Sequence, residues 1–195
     1  MRITKEKAEE NRQSLVKAAG KLFRERGIDG VGVAEISKEA GLTHGALYAH
    51  FPSKEALAAE AFGHGAERAR VRLSTMMVDG KPDLNAFLDF YLSTEQRDKP
   101  AHACAMAASA SEVGRQDVGL SARFSESFER MAGFFEQHIA ATKPEADARA
   151  DALTIASALI GGAAAARATA KANPLLSDEI LRSTRRVLGE LSSKL

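Results

Sequence analysis

Between Gly32 and Lys54 the chain sets a hydroxyl at Thr43, imidazoles at His44 and His50, a phenol at Tyr48 and an ammonium at Lys54. Short donors of this kind hold phosphate oxygens and reach base edges in a duplex. The residues around them read as two short helices and a tight turn, a helix-turn-helix over about residues 32–51. Val33, Ile36 and Ala40 fall at helical spacing, Gly41 can take the positive φ that stops the first helix, and Thr43 can cap the second. Leu42 and Leu47 are predicted to point back at Ile36, leaving His44, Gly45, Tyr48 and Ala49 on an outward face. Pro52 ends that helix, and Ser53 caps the next, whose free backbone N–H groups join Lys54 at a phosphate.

The rest of the chain must carry this motif. Its 195 residues are 45% hydrophobic with no Trp and a single cysteine, Cys104, so no internal disulfide can form. The start, Met-Arg-Ile-Thr-Lys-Glu-Lys, is too polar for a secretory signal, and the expectation is a soluble, cytoplasmic chain. The longest uncharged run, 152–166, is shorter than the roughly 20 apolar residues a membrane span needs, so no membrane partner is expected. Residues 1–54 carry ten Lys or Arg against seven Asp or Glu, while residues 55–195 carry 17 against 19, a mildly basic head on a mildly acidic body. Arg2, Lys5, Lys7, Arg12, Lys17, Lys21, Arg24 and Arg26 precede the motif, where they are expected to neutralise phosphates.

Apolar periodicity is helical from end to end, and no stretch alternates with period two. A first helix is predicted over 5–26, stopping at Gly27, and a long fourth one from Ser53 to about Val78, broken by Asp79-Gly80-Lys81-Pro82. Further helices are predicted over 83–97, 101–113, 117–142, 146–172 and 177–193. The fold class is all-α, about nine helices: a three-helix DNA-binding head over 1–54 and a helical body over 55–195.

Motif and layout together resemble the tetracycline-repressor (TetR) family of bacterial transcription regulators. The resemblance lies in residues 12–57: Ala-Ala-Gly-Lys-Leu-Phe-Arg-Glu-Arg-Gly (Ala18 to Gly27), Glu35-Ile36, Ala40-Gly41, Gly45-Ala46-Leu47-Tyr48 and His50-Phe51-Pro52-Ser53-Lys54-Glu55. Elsewhere only the helical layout matches. The resemblance implies a dimer bound to a palindromic double-stranded operator and released by a small molecule, with residues 55–195 as the ligand-binding and dimerisation domain. It also implies phosphate contacts from Thr43, Tyr48 and Lys54 and approach of His44, Gly45 and Ala46 to base edges. His50 completes the DNA-binding set. Gly32 stands where a hydroxyl cap is frequent in the family, and Ala49 where an aromatic is.

A head of about 50 residues reads too few base pairs alone, so the body is expected to dimerise. Ile155, Leu159, Gly162 and Ala166 on one helix and Ile180, Thr184, Val187, Leu188 and Leu191 on the last form apolar stripes suited to a four-helix bundle across a two-fold axis. Between head and stripes, Phe62, Phe87, Phe90, Tyr91, His102, Met106, Phe124, Phe128 and Met131 are candidates for lining an apolar effector pocket. Aromatic stripes at this spacing are ordinarily core. Cys104, near a predicted helix start and His102, is the candidate for a thiol or electrophile sensor. An all-α enzyme and a protein-interaction module are the alternatives from other classes. The five histidines are scattered, no paired carboxylate–His set is repeated as a bundle metal site needs, and no Gly-rich phosphate loop is present. No metal, cofactor or catalytic activity is expected.

Overall fold

Leu15, Val16, Ala18, Ala19, Leu22 and Phe23 recur along one face of helix α1, Lys5–Arg26, and all are buried. In the computed structural model, which describes residues 4–78, 81–142 and 147–194, both ends of α1 are made by local chemistry. The Thr4 hydroxyl accepts from Lys7 N at 3.2 Å. At the other end Gly27, at φ 80°, turns the chain out of the helix while its N–H still reaches Phe23 O. Helices α2, Val33–Glu39, and α3, His44–His50, follow. Gly41 takes φ 71° between them, and Leu42 N donates to Ser37 O at 2.8 Å. Ile36 and Leu47, both fully buried, hold the two helices together.

Helix α4, Lys54–Ser74, starts where Ser53 Oγ accepts from Ala56 N at 3.1 Å. It ends earlier than the predicted Val78, because Met77 and Val78 (β1) pair antiparallel with Lys81 and Pro82 (β2), Met77 opposite Pro82. Asp79 and Gly80, the predicted breakers, lie outside the described residues. Pro82 has no N–H to extend the ladder.

The helix predicted over 83–97 is two: α5, Leu84–Tyr91, and α6, Thr94–Asp98. Ser93 divides them, its hydroxyl donating to Phe90 O at 2.9 Å and accepting from Gln96 N at 3.2 Å. Such local bonds offer the backbone an alternative to a continuing helix. A 3-10 turn, Pro100–His102, leads into α7, Ala105–Val113. Then come α8, Val118–Thr142, α9, Ala148–Thr169, and α10, Pro174–Lys194. Asp117, Asp147 and Asn173 cap these three through side-chain oxygens. Pro174, which falls before the helix predicted over 177–193, is the first residue of α10, where its missing N–H costs nothing. Residues 143–145, between the helices predicted over 117–142 and 146–172, lie outside the described residues.

The fold is thus all-α, with ten α-helices among the described residues beside the two-residue ladder. It divides into two compact units, residues 1–68 with 100–124, and residues 69–99 with 125–195. This division differs from a boundary at residue 54, because α7 and the 3-10 turn pack on α1. In the second unit α9 packs on α10, so closely that a Cβ on Gly162 would lie 2.8 Å from Thr184 Oγ1. By length and composition α9 could cross a membrane. Its buried residues, from Ala152 to Ala166, face α10 and the core instead.

Candidate nucleic-acid interface

Helix α3 turns one residue inward, Leu47, and leaves Thr43, His44, Gly45, Tyr48 and Ala49 exposed, as the apolar spacing predicts. The His44 and Tyr48 rings stand edge to face, their centroids 6.2 Å apart. Thr43 occupies the cap position, but its hydroxyl makes no bond to the helix, a correction to the capping role expected of it. That hydroxyl stays available to an external acceptor. A Cβ on Gly45 would meet nothing within 4 Å, so packing does not demand glycine there, and the bare backbone suits close approach by another surface. Ala46 is half-buried, as are His50 at the end of α3 and Lys54 at the start of α4.

Three links from α1 set the pose of this pair. Arg12 pairs through both terminal nitrogens with Glu60 of α4 and lies over the Phe51 ring, 4.9 Å from its centroid. Phe51 is buried, and its N–H closes α3 on Leu47 O. Lys21 meets Glu39 at 2.6 Å, and Arg26 pairs with Glu35. The expectation that the α1 cations serve phosphate is therefore corrected for Lys7, Arg12, Lys21 and Arg26, which hold Glu10, Glu60, Glu39 and Glu35. Arg24 bonds the Ala101 carbonyl. Among the described residues Lys5 and Lys17 meet no carboxylate, and Arg2 lies outside those residues. The pairs that reach α2 and α4 join residues far apart in the chain, so composition counts them as free charge.

The Lys21–Glu39 pair gives α2 a pH-dependent anchor. The hydrogen bond from Lys21 lowers the Glu39 carboxyl below its ordinary 4.5. The same bond raises Lys21 above 10.5. A depressed carboxylate stabilises above its unfolded value and stops doing so as pH falls through its folded one; a raised ammonium stabilises below its unfolded value and stops as pH rises through its folded one. The stability difference between wild type and Lys21→Met is expected to be flat at neutral pH. It should fade as pH falls below 4.5 or rises above 10.5; urea unfolding across pH checks this.

Sequence reasoning missed Glu112 of α7. Its Oε1 accepts from Ile28 N at 2.7 Å and Asp29 N at 2.9 Å, holding the loop between α1 and α2. A Cβ on Gly27 would come within 3.2 Å of that carboxylate. No local pattern signals a bond across 84 residues.

Of the pocket candidates, Phe62, His102, Met106 and Phe124 fall in the first unit, and Phe87, Phe90, Tyr91, Phe128 and Met131 in the second. The Phe62 and Phe124 rings meet at 5.8 Å. Phe87 meets Tyr91 at 5.6 Å and Phe135 at 5.8 Å, while Arg72 covers Phe90 at 4.8 Å. Met106 is buried, and Phe128 and Met131 are half-buried. His102 is exposed on the 3-10 turn, which corrects its placement in an apolar lining.

Of the proposed interface residues, Ile155, Leu159, Ala166 and Leu188 are buried within the chain. They are core, a correction to their expected exposure to a partner, because α10 covers that face of α9. Gly162, Ile180 and Thr184 are half-buried, and Val187 and Leu191 are exposed. Exposed Ser157, Gly161 and Ala165 line the opposite side of α9. Cys104 stands at the cap position of α7, half-buried, with no side-chain bond to the helix.

A tight turn joining two short helices, the second seated by one buried residue and polar on its outer face, defines a helix-turn-helix DNA-binding protein. Residues 15–61 match the model of the bacterial regulatory proteins of the tetR family. The HTH-type transcriptional regulator LmrA of Bacillus subtilis is 28% identical over 172 residues, covering 86% of this chain and 92% of that protein. The regulator AcrR of Shigella flexneri is 42% identical over 59 residues, only 30% of this chain and 27% of its own length. A TetR transcriptional regulator from Chloroflexus aurantiacus superposes with a TM-score of 0.74 at 26% identity over 94% of each chain. The chain thus resembles the tetR family of bacterial transcriptional regulators, most specifically over residues 15–61.

Proposed function

We propose that the chain is a dimeric, cytoplasmic repressor, released from a palindromic operator by a small apolar or amphipathic effector. The observation that carries this reading is α3, whose one buried residue anchors it while its polar side chains face outward. Thr43, Tyr48 and Lys54 hold phosphates, His50 supports them, and His44, Gly45 and Ala46 meet base edges. His44 is the largest polar side chain in the first turn of α3, so DNA shape shares the readout. Dimerisation uses the side of α9 and α10 left open in the chain: Ser157, Gly161 and Ala165, with Val187 and Leu191. Two heads about 34 Å apart enter successive major grooves. Helix α4 contributes residues to both units, and an effector that prefers the non-binding head spacing shifts it through that helix.

Selection of bound sequences from a random DNA pool tests the reading. The expected result is a palindrome with half-sites one helical turn apart; a folded protein that enriches no sequence and shifts no DNA at low salt overturns it. Lys54→Ala is expected to weaken binding to all sequences alike and to reduce the slope of log affinity against log salt by about 0.9 for each phosphate that is no longer neutralised. Filter binding across a salt series reads that slope.

The half-exposed position of Cys104 favours a second reading, thiol or electrophile sensing, over a thiol sealed in core. Cys104→Ser is expected to abolish release of DNA by oxidants or electrophiles if that reading holds. Unchanged release in a gel shift ends it.

A further inference from the structure

Several arginines of this chain that are partly shielded from solvent meet carboxylates. Arg12 has Glu60, Arg97 has Asp98 and Asp178, and Arg185 has Asp89. Arg24 of α1 differs. Its Nε and Nη2 both donate to one neutral acceptor, Ala101 O, at 3.0 and 2.5 Å. Its Nη1 lies between two glycines: a Cβ on Gly20 of α1 would crowd it at 3.2 Å, and one on Gly65 of α4 would be in ordinary contact with it at 3.5 Å. The Gly65 position is equally close to Ala105, the first residue of α7. Helices α1, α4 and α7 therefore converge on a guanidinium that no carboxylate of the described residues meets, all within the first unit.

The surrounding charges worsen the imbalance. Burial, then the charge on Arg68, pull the Arg24 guanidinium down to about 10, against smaller opposing effects of Cys104 and Glu25. Burial again, then Arg68, Lys17 and Arg24, push the His64 imidazole below its ordinary value. Glu60 alone opposes that shift, and both its oxygens are committed to Arg12. Among the described residues none of Lys17, Arg24, His64 and Arg68 bonds a carboxylate. Clustered like charge with no partner lowers stability in the free protein, and an anion placed there offsets that cost.

We propose that this junction of α1, α4 and α7 is an oxyanion site, which takes the carboxylate or phosphate group of the regulator's effector. Arg24 is its principal donor, through the Nη1 that Ala101 leaves free, while Lys17 and Arg68 supply charge and His64 an imidazole N–H. The first turn of α7, which the Cys104 side chain does not cap, adds backbone donors. The inference deepens the effector reading by restricting the effector to anionic molecules. It is tested without DNA, so its failure and that of the regulator reading are distinct.

Calorimetric titration of the full chain at fixed ionic strength, with inorganic phosphate in one arm and octanoate in the other, measures the site. Neutral 1-octanol is the comparison. Saturable binding is expected in at least one arm, and the arm that saturates identifies the source of the oxyanion. Arg24→Gln should weaken that binding about tenfold or more, as loss of a charge-assisted pair does, while Arg24→Lys retains most of it and 1-octanol does not distinguish the variants. Arg68→Gln, at an exposed position, serves if Arg24→Gln fails to fold. It should weaken anion binding while the melting temperature of the free protein holds or rises, because a like charge has gone. No saturable anion binding by wild type would overturn the proposal. So would equal affinity in Arg24→Gln, or a melting temperature of Arg68→Gln that falls with anion affinity unchanged.

Discussion

Leu47→Ala is expected to remove DNA binding and to cost about 2–5 kcal/mol of stability, the range for truncating a fully buried leucine. Leu47 is entirely buried, and it is the one buried residue in the seven of α3. So short a helix has no stability of its own, and its helical state depends on packing. Its carbonyl also accepts the N–H of Phe51, so a shift at Leu47 moves the corner that Arg12 and Glu60 hold. Tyr48→Ala, one residue on and 56% exposed, is the matched control. It should leave stability within about 0.5 kcal/mol of wild type and still weaken DNA binding, because its ring contributes outward. Urea unfolding and gel shifts on the selected operator separate the two. A Leu47→Ala protein that unfolds earlier yet binds the operator as tightly would show that α3 is not the reading helix.

Phe135→Ala is expected to cost about 3–5 kcal/mol, the largest loss predicted for the second unit. Phe135 is 1% exposed and packs at 5.8 Å from Phe87 and 5.3 Å from Phe134, and Phe87 in turn meets Tyr91 at 5.6 Å. Interdigitated rings at these distances are core, and truncation leaves a void that its neighbours fill only in part. If this cluster instead lined an effector cavity open in the free protein, truncation would enlarge an existing space and cost far less. Denaturant unfolding gives the number, and benzene binding gained only by the variant would report the new void. A loss below about 1 kcal/mol would return Phe87 and Tyr91 to the pocket and add Phe135 to its lining.

Local rules carried the sequence reading a long way. Gly27 and Gly41 were legible as helix ends because positive φ is cheap for glycine alone, and both take it. Ser53 was legible as a cap because its hydroxyl needs only the N–H three residues on. Ser93 was not, since Asp83 to Arg97 reads as one amphipathic run and a single side chain's bonds to Phe90 and Gln96 divide it. The apolar stripes of α9 and α10 were also legible as stripes. Periodicity states that a face is covered and leaves open what covers it, and for Ile155, Leu159, Ala166 and Leu188 the cover lies within the chain.

The helices, the helix-turn-helix and the outward set on α3 follow from the order of residues alone, because capping, turn chemistry and amphipathic period act within a few positions. Which charges are free follows from the fold. Eight cations before the motif look alike in sequence. Folding commits Arg12, Lys21 and Arg26 to carboxylates from α4 and α2, and it gives Arg24 a backbone carbonyl and cationic neighbours. Coulomb energy depends on distance through space, which pairs residues 9, 18 or 48 positions apart with no signature in the intervening chain.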